Sequence, residues 1–192
     1  MKNAIILHGR PSKAEYYGER FPSMSNSHWI PWLQSQLIKK DIPAATPDVP
    51  MNFKPDWPVW VKEVERFEIG PETILVGHST GAGFWVRYLS EHKNLRVGKV
   101  ILVAPYLDVE KEEEPEFFDF KLDPNISART AGLTIFHSDN DMASVQSTTQ
   151  HLRENLKEFK YVEFHSYGHF TMGSMKTQEF PELLAEGLIR DI

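Results

Sequence analysis

Two kinds of apolar stretch alternate along the chain. Short continuous runs, at Ala4-Ile5-Ile6-Leu7, Ile74-Leu75-Val76, Val100-Ile101-Leu102-Val103-Ala104, Leu133-Thr134-Ile135-Phe136 and Tyr161-Val162-Glu163-Phe164, read as strands. Most are apolar throughout, as expected where both faces of a sheet are covered. Between them apolar residues recur at helical spacing. Trp32, Leu33, Gln36 and Leu37 form one such set, with Ser27 as the expected cap, Pro31 in the first turns and Asp41-Ile42-Pro43 as the stop. Trp57, Trp60, Val61, Val64 and Phe67 form a second, capped by Asp56, and this stripe reads as core packing. Helices are further predicted over Ala82 to Leu89, Val145 to Leu156 and Phe180 to Ile189, the last burying Phe180, Leu183, Leu184 and Leu188. Ala44 to Pro47 reads as a short strand, placed at a sheet edge by its proline.

Strands alternating with helices predict an α/β fold. It has a mostly parallel sheet with helices on both faces, formed as one domain over residues 1–192. Loops leaving the carboxyl ends of the strands then meet along one edge, where ligands bind in such sheets. Those loops begin at His8, Gly77, His137 and His165. Two stretches fit no period. One runs from Arg10 to Ser27 and is long enough to suggest a functional loop. The other spans residues 107 to 124, acidic from Glu110 to Glu116 and then aromatic at Phe117, Phe118 and Phe120. The acidic part reads as a solvated loop; the aromatics fit a roof over a pocket or plain core packing.

The richest chemistry lies where the second long run ends. Gly77-His78-Ser79-Thr80-Gly81 has the pattern G-x-S-x-G, between a predicted strand and a predicted helix. That context forces a sharp turn, lifts the serine hydroxyl above the sheet edge and aims the first helical N–H groups at a developing oxyanion. Ser79 is the candidate nucleophile. It needs a base, usually a histidine held by a carboxylate, in the chain order Ser, acid, His. His169, in Ser166-Tyr167-Gly168-His169-Phe170, follows the last strand and is the candidate base. Among the rivals, His165 ends that strand and is expected to pack or point away, and His78 packs beneath the turn. His8 could join the site floor, while His28, His92 and His151 fall on predicted helices as solvated residues.

The acid should follow the strand ending at Phe136, where Ser138-Asp139-Asn140-Asp141-Met142 offers two carboxylates. Asp141 is preferred, with Asp139 as turn-former and alternative acid, and Asp108 more distant. Oxyanion donors are the backbone N–H groups of Thr80 and Arg10; Pro11 has none to offer.

Composition narrows the class. A net charge of −6 argues against a nucleic-acid backbone as partner. The absence of cysteine removes disulfides and thiolate metal sites and fits a reducing compartment. No apolar run is long enough for a signal-peptide core or a membrane span, so the sequence reads as cytoplasmic, without a membrane partner. Neither a zinc-binding H-E-x-x-H nor a dinucleotide or phosphate-loop pattern occurs; no metal and no cofactor is called for, and nothing indicates a protein partner.

The elbow at 77–81, the acid segment at 138–141 and Gly168-His169-Phe170, with a first strand opening at the N-terminus, resemble the α/β-hydrolase superfamily. More narrowly, they are similar to the small serine hydrolases that include the retinoblastoma-binding-protein hydrolase and its bacterial relatives. The resemblance covers nearly the full length. It implies a compact α/β hydrolase without a large cap domain, with Ser79, Asp141 and His169 as the triad. Proline usually follows the acid in that group, whereas Met142 follows Asp141 here, which keeps Asp139 in play. The expected activity is hydrolysis of a small ester, with amide or thioester as alternatives. Two other readings use the same residues: a hydrolase-fold protein-binding module, and an acyltransferase or perhydrolase.

Overall fold

The computed structural model describes residues 2–188. Six strands, β1 (Asn3–Leu7), β2 (Ala44–Ala45), β3 (Thr73–His78), β4 (Val100–Val103), β5 (Leu133–Ser138) and β6 (Lys160–Phe164), form one sheet in the order β2-β1-β3-β4-β5-β6. Every ladder between them is parallel. The chain builds outward from β1 to β2 on one side, then returns past β1 and adds the other strands on the opposite side. The switch point therefore lies between β1 and β3, the place where such sheets open a crevice. Leu7 pairs with Gly77, His78 with Val103 and Ser138 with Phe164, so the carboxyl ends form one rim.

Alternate residues of each strand face opposite layers, as a two-residue period requires. Ile5, Leu7, Leu75, Val100, Leu102, Leu133 and Ile135 point to one layer. There they meet α3 (Trp57–Val64), α4 (Thr80–Glu91) and α5 (Ala143–Asn155) through Trp60, Phe84, Trp85, Leu89 and Leu152. Ala4, Ile6, Ile74, Val76, Ile101, Val103 and Phe136 point the other way, to α2 (Ile30–Ile38) and α7 (Pro181–Leu188) through Ile30, Leu33, Leu37, Phe180 and Leu183. The predicted extension of the last helix to Ile189 and the burial of Leu188 lie outside the described residues and side chains. Helix α4 is buried from Thr80 to Ser90. Its Arg87 is accommodated by an ion pair with Glu91, by the carbonyls of Glu116 and Phe117, and by the face of Trp57 at 4.0 Å. Among the described residues no helix is long and apolar enough to cross a membrane.

Two local expectations need correction, and the open choice for the aromatic cluster is decided. Ser27 does not cap α2: Trp29 occupies that position without a side-chain cap bond, and the Ser27 hydroxyl donates to the Ser23 carbonyl. The long loop after β1 is ordered by its own short elements, α1 (Lys13–Tyr17) and a 3-10 turn at Met24–Asn26. Its Ser12 and Glu15 form a reciprocal capping box, a four-residue signal that period counting overlooks. Phe117 and Phe118 are buried against Trp57, Trp60 and Tyr106, so they are core, with Phe120 packed beside them. The Asp56 cap, by contrast, is present and takes the Val59 N–H at 3.1 Å.

Candidate active site

Strand β3 delivers Ser79 to the rim in a backbone conformation that L-residues seldom adopt, φ 53° and ψ −119°. The turn closes because its flanking positions lack side chains. A Cβ on Gly77 would lie 2.5 Å from the Ala82 backbone, and one on Gly81 would lie 2.4 Å from the His8 carbonyl oxygen. The Ser79 carbonyl accepts from Ala82, Gly83 and Tyr106, and its N–H donates to Val103, so the residue is held on both sides. Thr80 opens α4 and has no intrahelical carbonyl four residues back for its N–H. The loop after β1 runs against the serine: a Cβ at Gly9 would stand 3.0 Å from that of Ser79. Arg10 follows in the same loop and lines the same cleft.

Loops after β5 and β6 bring in the other candidates. The His169 Nδ1–H donates to Asp141 at 2.9 Å and 3.2 Å from the two carboxylate oxygens. The Asp141 side chain is fully buried, and it also takes the Met142 N–H at 2.7 Å. Asp139 points elsewhere. It accepts from the exposed His165 at 2.8 Å and from the Ser166 N–H at 2.9 Å, tying the two loops together from outside. Asp108 accepts the N–H groups of Glu112, Glu113 and Glu114 and so folds its own loop.

Ser79 and His169 line one cleft of 820 Å³, walled by the loop after β1, by residues 48–52, and by Met142 and Thr171. Residues 21–185 match the serine hydrolase family. The chain belongs to that family. A Bacillus subtilis (strain 168) protein named as a hydrolase, YdeN, is 29% identical over 109 residues, 55% of this chain and 51% of the relative. The match thus spans about half that relative's length. The crystal structure of the B. subtilis ydeN gene product superposes with a TM-score of 0.75 at 20% identity, covering 96% of each chain. An α/β serine hydrolase homologue from Coxiella burnetii gives 0.63 at 16% identity, covering 98% of this chain and 85% of that one. These likenesses carry the compact α/β-hydrolase fold.

Within this serine hydrolase the remaining histidines divide by environment. His78 is buried and donates its Nε2–H to the His169 carbonyl at 2.8 Å, which fixes the backbone of the candidate base. Burial, with His169 and His28 nearby, holds its pKa well below the usual imidazole value. His8 is buried behind the cleft and is not among its lining residues: Nδ1 contacts the Gly9 carbonyl at 2.8 Å, and Nε2 accepts the Val49 N–H at 3.0 Å, pinning the 48–52 wall. Its pKa is also lowered by burial. His28 corrects the sequence reading. It sits at φ 59° in the turn before α2, accepts the Met172 N–H at 3.3 Å and lines the cleft. Burial and the neighbouring His169 push its pKa down.

Sequence reasoning missed Ser138 and Asn140. The Asn140 side-chain oxygen accepts from the Gly168 N–H at 2.8 Å, and Ser138 Oγ accepts from the Tyr167 N–H at 3.0 Å. Together they clamp the two residues before His169. Their position beside two aspartates in a strand-end loop was the available signal. Among the described residues no three His, Cys, Asp or Glu gather as a metal site.

Proposed function

We propose that this hydrolase cleaves a small carboxylic ester through an acyl-enzyme on Ser79. One observation carries the reading: an imidazole in the cleft of Ser79, hydrogen-bonded through Nδ1 to a fully buried carboxylate. An Nδ1–H bonded to Asp141 leaves Nε2 as the basic nitrogen. His169 then takes the Ser79 proton as Oγ attacks the carbonyl carbon. The carbonyl electron pair moves to oxygen, where the Thr80 and Arg10 N–H groups receive it. Collapse expels the alcohol, which leaves with the proton from His169. A water molecule, deprotonated by the same nitrogen, releases the acid and restores the serine. Asp141 keeps the imidazole in the productive tautomer and stabilises the imidazolium.

Labelling with a fluorophosphonate probe tests the reading. Wild type should label, and Ser79→Ala and His169→Ala should not, while all three stay folded by circular dichroism. Folded wild-type protein that resists the probe and cleaves none of a panel of short and medium acyl esters would refute it.

A further inference from the structure

The cleft in front of Ser79 holds an uneven set of charges. Arg10 is the one Lys or Arg among its described lining residues, and its guanidinium is already engaged, donating to both Glu113 and Glu114. Those two acids are held in place by construction. Asp108, itself buried, gathers the N–H groups of residues 112 to 114 at 3.0, 3.1 and 2.6 Å, which turns the acidic segment back over Arg10. The cleft walls add the carboxylates of Glu15 and Asp48. Glu15 accepts the Ser12 N–H at 2.7 Å, and Asp48 accepts the Ser25 hydroxyl at 3.2 Å. Neither of these bonds supplies a cation. His8, Nε2 of which lies 3.6 Å from Asp48, does not offset the balance, because burial disfavours its charged form as it does those of His28 and His78. Exposed apolar side chains of Tyr16, Phe21 and Met142 complete the walls.

We propose that the cleft selects its ester by charge. It accepts substrates whose acyl and alcohol parts are neutral or cationic and rejects those bearing a second, anionic group. Glu113 and Glu114 set this preference by occupying the Arg10 guanidinium. The inference rests on the ester-hydrolase reading above. An anionic substrate entering this space meets the carboxylates of Glu15 and Asp48 and, among the described lining residues, no Lys or Arg free of a carboxylate partner; in a partly desolvated cleft such repulsion outweighs that in bulk water.

The test compares kcat/KM for three 4-nitrophenyl esters of one acyl length: the hexanoate, its 6-trimethylammonio derivative and the mono-adipate. Wild type should cleave the adipate about tenfold less efficiently than the hexanoate, with the ammonium ester at or above the hexanoate. Raising salt to about 0.5 M should narrow the adipate gap, since screening shortens the reach of the repulsion. Glu113→Gln with Glu114→Gln should raise the adipate-to-hexanoate ratio about tenfold by freeing Arg10. Equal adipate and hexanoate rates in wild type overturn the proposal, as does an unchanged ratio in a double variant that melts like wild type. Where that variant misfolds, the salt series decides: a gap insensitive to salt is contrary. Failure of all three esters would count against the catalytic reading, so binding is scored separately on Ser79→Ala by thermal shift. Hexanamide should stabilise that variant and adipamate should not; adipamate stabilising as well, or neither ligand doing so, overturns the charge selection.

Discussion

Gly83 offers a sharp test of how the elbow is held. It lies in the first turn of α4, and a Cβ there would stand 1.9 Å from the Tyr106 carbonyl oxygen, 3.0 Å from the Tyr106 carbonyl carbon and 2.7 Å from Phe118 Cε1. The Phe118 ring can rotate away. The Tyr106 carbonyl cannot, because the Leu107 N–H of the same peptide donates to the Thr148 hydroxyl, and the Tyr106 N–H on the other side donates to the Ser79 carbonyl and ties that loop to the elbow. Gly83→Ala must therefore move the start of α4 away from the loop after β4. Alanine brings a helix-propensity gain of about 1 kcal/mol. Overpacking against backbone belongs at the upper end of the usual range, about 3 kcal/mol. The net loss is about 2 kcal/mol, or about 4–8 °C in Tm for a chain of this size. Displacing Ser79 and the Thr80 N–H by about 1 Å should also slow fluorophosphonate labelling about a hundredfold. Gly187→Ala supplies the opposite sign. Its Cβ would meet Ile101 Cδ1 at 3.8 Å, an ordinary contact, so the helix gain survives and Tm should rise by about 2–4 °C. Melting by circular dichroism and labelling rates measure both. A Gly83→Ala protein that melts at or above wild type and labels normally would refute the argument that backbone contact fixes the helix start.

Asp141→Asn should lower the labelling rate by about 10⁴, because the amide favours the wrong imidazole tautomer, while Asp139→Asn should stay within about threefold; equal losses would contradict the division of labour read from their partners. Acidification should weaken the fold. In the unfolded chain His8, His28 and His78 titrate near 6.5, and in the folded chain burial holds each lower, so below about pH 6.5 the unfolded state binds more protons. Stability from these groups is complete above that value and falls on acidification, by up to about 1.4 kcal/mol per pH unit for each, until the folded pKa is reached. His165, raised by Asp139, runs the other way: its contribution is present below its unfolded pKa and fades as pH rises through the raised value. The urea midpoint should drop between about pH 7.5 and 5.5; one that holds steady or rises counts against the buried-histidine account. His8→Leu should cost about 1–3 kcal/mol by orphaning the buried Val49 N–H and should raise KM more than it lowers kcat, since it loosens a wall; unchanged KM would sever His8 from the cleft.

Most of the fold was legible because it is written in local periods. The runs at Ala4–Leu7 and Val100–Val103 announce covered strands, and Trp57, Trp60 and Val64 announce a packed helix face. The elbow was legible for a similar reason, since its glycines and serine are neighbours in sequence. The remainder depends on partners far apart. Whether Asp139 or Asp141 meets His169 turns on which way two side chains one residue apart leave a loop, and each bond spans more than twenty residues. His28 was misplaced because its turn precedes α2, whose start Ser27 seemed to mark. The engagement of the Arg10 side chain could not be read from sequence because its partners lie about a hundred residues downstream, in a segment without periodicity.

The sheet order separates two tasks along one rim. Ser79, Asp141 and His169 leave β3, β5 and β6, whereas most of the cleft wall leaves β1 and β2 at the opposite side of the switch point. The segment from Arg10 to Ser27 folds on its own capping box and 3-10 turn and makes no ladder with β3 to β6. The wall segment can therefore be exchanged or lengthened without disturbing the loops that carry the candidate residues Ser79, Asp141 and His169.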